Sequence, residues 1–229
     1  MSRILAFNGS PRPSGNSVHL LDRFASGTAR NGVTTEIIHA DKLQLKPCAG
    51  CLRCNVLKRC SIRDDDWSWL SEKILAADVL VFASPVYFHH LPAPLKSVID
   101  RFRSFIHVAV TETGLKHTPW TTWKKSFLVI LSMGSSDDTD AAPIEDLFRF
   151  MTSVMGPRNQ LYTLKATRLA MTRQVIRSKE ELYQLYQKLQ LPSHLVDADY
   201  KRNRGLLRQC EAFGEQLSGH ADPSSLNVH

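Results

Sequence analysis

Thirteen residues carry the densest chemistry in the chain: CAGCLRCNVLKRC, from Cys48 to Cys60. Four of the five cysteines stand here, spaced C-x2-C-x2-C-x5-C. Cys48, Cys51 and Cys54 bring three thiolates onto one tight loop, and Cys60 follows after five intervening residues. That compact pattern suits four thiolate ligands at the corners of a [4Fe–4S] cluster. Gly50 relieves the turn, and Arg53, Lys58, Arg59 and Arg63 would offset an anionic cluster and tune its potential. The run ends Cys60-Ser61, whereas bacterial ferredoxin loops end C-P. Zinc is the other metal reading, but four-cysteine zinc sites usually pair two C-x2-C knuckles across a longer stretch, and the third cysteine here crowds a single tetrahedral ion. Four reduced thiols in a metal-free loop is the third reading. Cys210 stands apart and reads as a small helix residue.

A second stretch is built for an anion. After the apolar run Ile4–Phe7 comes NGSPRPSGNS, from Asn8 to Ser17, which opens a helix. Backbone N–H groups and the helix dipole face an anion bound at such a turn. Ser10, Asn16 and Ser17 can add side-chain donors, and Arg12 can add charge. A Walker A loop needs G-x4-G-K-[ST]; here five residues separate Gly9 from Gly15, and Asn16 stands where lysine would be. The dinucleotide pattern G-x-G-x-x-G is also absent. A single terminal phosphate fits best, against the alternative of a plain βα turn.

Two more loops leave the same edge of the expected sheet. The first runs from Ala83 to Lys96 and contains Ser84, Pro85, Val86, Tyr87, Phe88, His89 and His90. Its prolines stiffen the backbone, so a planar ring could lie against Pro85 to Phe88. The second is Ser132-Met133-Gly134-Ser135-Ser136. One loop for a phosphate and two for a flat ring describe a mononucleotide such as FMN. His89 and His90 are candidates for acids or ligands, although loop histidines are more often solvated or hydrogen-bonded.

The elements that must position these loops alternate strand and helix. Strands are expected at 4–7, 34–39, 78–83, 126–131 and 160–164. The third and fourth are near-continuous apolar runs, as in a parallel sheet covered on both faces. Helical stripes follow in Val18, Leu21 and Ala25 with Leu20 and Phe24 beside them, in Trp67, Leu70 and Ile74 behind Asp64-Asp65-Asp66, in Leu95, Val98, Ile99 and Phe102, and in Ile144, Leu147, Phe148 and Met151. The rhythm predicts an open α/β sheet with helices on both sides, binding its ligand beyond the carboxyl ends of the strands. Residues 106–125, with Trp120 and Trp123, are expected as a long functional loop. Residues 178–218 are expected to be mostly helical, with Leu182, Leu185 and Leu189 on one stripe.

Composition narrows the class. The chain has 229 residues with 43% apolar and 22% charged content, ordinary for a globular protein. No apolar run approaches the ~18 residues of a membrane helix, so no membrane partner is expected. The start MSRILAFNGSPR reads as a first strand rather than a signal peptide. A cytoplasmic location with reduced thiols follows as the expectation. The net charge of +7 includes Lys165, Arg168, Arg173, Arg177 and Lys179. With no helix-turn-helix, zinc-finger or RNP pattern, nucleic acid is disfavoured. Solubility, attraction of an anionic cofactor or docking of an acidic redox partner are the preferred readings.

GSPRPSGNS together with SPVYFHHLPAPLKSVIDRF resembles the NADPH-dependent FMN reductase group of the flavodoxin-like superfamily. With CAGCLRCNVLKRC added, the chain is similar to the iron–sulfur flavoproteins of that group, over about residues 3–165. The resemblance implies a doubly wound five-stranded parallel sheet in the order 2-1-3-4-5, here followed by a helical C-terminal extension. It implies FMN with its phosphate on Ser10, Arg12, Asn16 and Ser17. The isoalloxazine would lie against Ser84, Pro85, Val86, Tyr87 and Phe88, with Met133 and Gly134 nearby. It also implies a homodimer or homotetramer. The organisation expected is a flavodoxin-like domain over 1–170 with its cysteine loop at 47–63, a helical extension over 171–218 packed on the domain or on a second subunit, and a frayed tail at 219–229.

The activity expected is an FMN-dependent NAD(P)H oxidoreductase. Its flavin would exchange electrons with NAD(P)H or a ferredoxin-like partner and with the cluster. A cluster-free FMN, quinone, azo or nitro reductase with 106–125 as its lid is one alternative, and a flavin redox carrier or sensor without turnover is another. Hydride transfer to flavin demands no acid or base side chain, so none is assigned.

Overall fold

The computed structural model describes residues 2–219. All but the first residue of the expected frayed tail lies outside the described residues. In chain order the elements are β1 (Ile4–Asn8), α1 (Asn16–Arg30), β2 (Thr35–His39), α2 (Cys54–Leu57), α3 (Trp67–Ala76), β3 (Val79–Pro85) and α4 (Ala93–Arg101), then β4 (Ile106–Thr111), β5 (Gly114–Pro119), β6 (Ser126–Ser132), α5 (Ala142–Met155), β7 (Gln160–Ala166), α6 (Lys179–Lys188) and α7 (Val196–Ser218).

The main sheet has five parallel strands in the order β2-β1-β3-β6-β7. With the hairpin β4–β5 set aside, this is the expected 2-1-3-4-5. Successive strand residues point to opposite faces, and the sequence serves both. Leu5, Phe7, Leu80, Phe82, Phe127 and Val129 join one core, against α3, α4 and α5. Ile4, Ala6, Val79, Val81, Leu128 and Ile130 join the other, against α1 and α7. Phe7 and Phe82 stack at 5.1 Å, and Phe148 of α5 tilts onto Phe82 at 4.9 Å. Such pairs add to area burial by about 0.5–1.5 kcal/mol each.

The expected loop at 106–125 is largely a two-stranded antiparallel hairpin, with Ile106 paired to Pro119 and Thr111 to Gly114. The β-branched run Ile106, Val108 and Val110 is the strand signal. Gly114 at φ 128° closes the turn. Only the last part, Trp120 to Lys125, is irregular, and there Trp123 enters the core.

The C-terminal helices close the side of α1. Helix α6 starts with a full capping box between Ser178 and Glu181. It buries Leu182 and Tyr186 against Val196 of α7, while Leu189 stands exposed at its end and off the buried stripe. Helix α7 crosses α1 with backbones touching. A Cβ on Gly27 would stand 2.0 Å from Glu211 O, and one on Gly214 would stand 2.1 Å from Phe24 O. Arg30 bonds Glu211 at 2.6 Å and pairs with Glu215 as well. Cys210 is buried in this seam, and burial pushes its thiol up to about 12, so it is an inert packing group. No described helix is long and apolar enough to cross a membrane.

Gly27→Ala forces the two helices apart. The expected cost is about 1–3 kcal/mol in thermal or urea unfolding, whereas Gly205→Ala, with open space at its Cβ, should be neutral or better. Equal effects at the two positions would contradict the close crossing.

Candidate functional site

The anion loop is shaped by side chains bonding its own backbone. Gly9 N–H extends the β1–β3 ladder to Ala83 O at 2.8 Å. Asn8 Oδ1 accepts from Ser10 N–H at 2.9 Å, and Ser10 Oγ accepts from Arg12 N–H at 3.2 Å. Gly15 stands at the N-cap of α1 with no side-chain cap, and a Cβ there would meet Ser10 Oγ at 2.5 Å. The helix therefore opens bare, leaving its first N–H groups without intrahelical acceptors. Ser17 Oγ is buried beside them with no partner. Free N–H groups, a helix dipole and an orphaned hydroxyl at one point form an anion cradle.

Asn16 departs from the expectation. Its amide Nδ2 donates to Leu169 O at 3.1 Å and Met171 O at 2.9 Å, and its Oδ1 accepts from Val175 N–H at 3.0 Å. Both amide protons are used, so Asn16 can meet an anion through its backbone N–H alone. Its side chain instead clamps a strap, residues 167–176, that follows β7.

The second loop is a tight reversal. Val86 N–H donates to Ser132 O at 2.9 Å, and Tyr87 and His90 exchange two backbone bonds of 2.9 Å. Phe88 and His89 between them take φ values of 48° and 61°. Left-handed backbone at two non-glycine residues is strain that a rigid surrounding must hold. His90 Nδ1 accepts from Leu91 N–H at 2.9 Å, and His89 Nδ1 lies 3.2 Å from Asp140 O. Both histidines thus have ordinary hydrogen-bond partners.

Three loops and the strap meet around a cavity of about 120 Å³. Of the expected site residues, Ser10, Arg12, Asn16, Ser17, Pro85, Val86, Tyr87 and Gly134 line it. Ser84 is fully buried behind it, with its hydroxyl donating to Pro85 O at 2.8 Å. Met133 packs into the core, and Phe88 is fully exposed at the tip of its turn. Gly15, Ser132, Leu169, Ala170 and Thr172 complete the lining. The last three were not expected, although they follow the carboxyl end of a strand at the same edge of the sheet.

The cysteine loop leaves that edge after β2. Gly50, Leu52 and Lys58 take φ values of 62°, 55° and 55°, which fold it tightly. All four cysteines line one cavity of about 200 Å³ together with Arg101, Arg103 and Ser104. Among the described residues, no three His, Cys, Asp or Glu side chains converge to hold a single metal ion; the thiols are spread around the cavity wall. Cys51 is held below its usual range, first by the Ser61 hydroxyl at 3.5 Å and then by the Arg53 N–H. Burial raises Cys54, and Arg103 Nη1, 3.5 Å from its sulfur, works against that rise. Cys60 and Cys48 add to it, so ionised neighbours would hinder one another. A set of four thiols with two guanidinium groups beside them suits a bound iron–sulfur group, whose thiolate ligands and hydrogen-bonded sulfurs it would supply.

The loop is tied down at both ends. Arg101, with a fully buried side chain, donates to Lys46 O at 2.7 Å and Ile62 O at 3.3 Å, and forks onto Asp65 at 2.6 and 3.2 Å. Burial tends to raise the Asp65 carboxyl, but the Arg101 guanidinium and the N–H groups of Lys46 and Trp67 outweigh it and hold it low. Asn55 then imitates a strand. Its Nδ2 donates to Val108 O at 2.8 Å, its Oδ1 accepts from Val108 N–H at 3.1 Å, and Arg103 Nη2 donates to the same Oδ1 at 3.0 Å. The hairpin is thereby fastened to the cysteine loop.

A five-stranded parallel sheet in the order 2-1-3-4-5, with an anion cradle at its carboxyl edge, is a flavodoxin-like fold. Residues 2–163 match the family model described as NADPH-dependent FMN reductase, and the chain belongs to that family. Over 101 residues it is 38% identical to an iron-sulfur flavoprotein of Methanocaldococcus jannaschii, covering 44% of this chain and 52% of that one. The chain spans about half the length of the curated relatives it matches. Among solved structures, an NAD(P)H:quinone oxidoreductase from Methanothermobacter marburgensis superposes with TM-score 0.63 at 15% identity, over 94% of this chain and 98% of that one. An FMN-dependent NADH-azoreductase from Bacillus anthracis, in complex with FMN, gives 0.62 at 14% identity, over 95% and 100%. These two likenesses show the fold.

Arg101→Met leaves Asp65 buried and unpaired, and should cost about 3–5 kcal/mol. Because the Asp65 carboxyl is lowered on folding, its contribution is complete above its unfolded value and is lost as pH falls through the folded one. The stability difference between wild type and Asp65→Asn should therefore hold from about pH 7 to 5 and shrink below about pH 4. A pH-independent difference in urea titrations would contradict the pairing.

Proposed function

We propose that the chain is an FMN-dependent NAD(P)H oxidoreductase whose Cys48–Cys60 loop carries a [4Fe–4S] cluster. The observation that carries the flavin reading is the bare N-terminus of α1, with Ser17 Oγ buried, unpartnered and facing the same cavity as Pro85, Val86, Tyr87 and Gly134. When bound, FMN accepts a hydride from NAD(P)H and passes electrons on, and an iron–sulfur cluster carries them singly.

The residues of the chain bind and orient. Ser17, Arg12 and the N–H groups at the start of α1 hold the terminal phosphate, while Ser10, whose hydroxyl donates to Arg12 O at 3.2 Å, shapes the loop around it. The cavity is smaller than the ~300 Å³ of an enclosed ligand pocket, so it takes the phosphate end and leaves the ring on the open side. There the Pro85–Tyr87 segment would lie against the ring. A second copy of the chain covering the open face, with Phe88 projecting towards it, is the natural way to exclude water. Cys48, Cys51, Cys54 and Cys60 supply the cluster's thiolates, and Arg101 and Arg103 offset its charge from within. The exposed cations Arg53, Lys58, Arg59 and Arg63 offer a docking face for an acidic ferredoxin-like partner.

Anaerobic purification with a visible spectrum and iron and sulfide assays tests both halves. Flavin bands with about four irons per chain are expected. Cys54→Ala should lose the iron and keep FMN. Ser17→Ala should weaken FMN binding about tenfold, the size of one hydrogen bond to a charged group. Flavin without iron would remove the cluster and leave a cluster-free reductase; failure to bind added FMN would remove the whole reading.

A further inference from the structure

The cavity proposed for the flavin is joined to the C-terminal helices by an ionic cluster around the buried Asp199. The strap 167–176 forms one wall of the cavity through Leu169, Ala170 and Thr172. Its start is held in a costly conformation: Arg168 takes φ 58°, which a non-glycine residue keeps only where its surroundings over-determine it. Part of that restraint is local. Arg168 N–H donates to Ser135 O at 2.7 Å, its carbonyl accepts from Gln174 Nε2 at 2.9 Å, and Leu169 N–H donates to Met133 O at 2.8 Å.

The rest comes from α6 and α7. Asp199, only 2% exposed, accepts Arg168 Nε at 3.0 and 3.1 Å and Arg202 Nη1 at 2.6 Å, and the Tyr186 hydroxyl donates to it. One carboxylate therefore balances two guanidinium groups. Without its charge, Arg168 and Arg202 would repel each other with no counterion between them. Asn203 Nδ2, on the same helix, reaches Gln174 O at 3.3 Å. At its far side the strap is bonded to α1 by Asn16, the residue beside Ser17 at the anion cradle.

We propose that Asp199 is a positioning residue for the flavin phosphate: through Arg168 it sets the strap against the start of α1, so the C-terminal helices determine how tightly FMN is retained. The inference rests on the flavin reading above. It assigns the extension a role in binding that the cradle residues alone do not show.

The test is FMN affinity and release rate, by flavin fluorescence, well below the melting temperature of each variant. Asp199→Asn and Arg168→Gln should each weaken FMN about tenfold, and the double variant should be no weaker than either single one. Ile74→Val, in the core on the opposite face of the sheet, lowers stability without touching the strap or its ionic cluster and should leave affinity within about twofold. Arg168→Gln, at a half-exposed side chain, decides the matter should Asp199→Asn not fold. Unchanged affinity in the folded variants, with wild type binding FMN normally, would overturn this inference alone. Wild type that fails to bind FMN would overturn the flavin reading and this inference together.

Discussion

Parallel pairing of β1, β3 and β6 fixes where the functional loops leave the sheet. Asn8 stands level with Ala83, and Pro85 stands level with Ser132. In an open parallel sheet the strands must end together for the carboxyl edge to form a crevice. The apolar side chains on both faces hold that register, because a slip of one residue would exchange every face. The cradle, the ring loop and the third loop owe their meeting point to this constraint, and the free N–H groups at the start of α1 point into the space it leaves.

Helix α4 connects the two chemical sites. It begins directly after the ring loop and ends at Arg101, which ties the cysteine loop shut. Its nine residues span about 13 Å at 1.5 Å per residue. The loop expected to face the isoalloxazine and the guanidinium groups beside the thiols are thus set at opposite ends of one helix. The hairpin adds a second fastening through Asn55 and Val108. The cysteine loop is a stiff cavity even with three residues in left-handed conformations.

Much of this arrangement could be read along the chain. Val79–Ala83 and Phe127–Leu131 read as strands because both of their faces are buried. The cradle was legible because glycine and hydroxyl residues directly follow a strand. What local sequence does not reveal depends on pairs far apart in the chain. Asn16 meets the strap across 153 to 159 residues, and Arg101 meets Asp65 across 36. A lone asparagine in a phosphate loop looks like a donor to the ligand, and nothing nearby reveals that its amide is already engaged. The hairpin escaped for another reason. Its length suggests a functional loop, while the modest alternation of Ile106, Val108 and Val110 carries the structural information. Ser84, Met133 and Phe88 sit in the right loops, but backbone direction turns them behind the cavity, into the core and out to solvent.

The seam between α1 and α7 has a consequence for the order of folding. Asn31 and Ser218, which bond across it, lie 187 residues apart. A ribosome emits α1 long before α7. Until then Leu20, Leu21 and Phe24 have the sheet on one side, and the small face at Gly27 has no partner. Contacts of such high sequence separation must overcome loop-closure entropy before they contribute, which slows the closing of this seam. Since the same helix carries Asp199 and Asn203, the strap beside the anion cradle gains these bonds only once α7 has emerged.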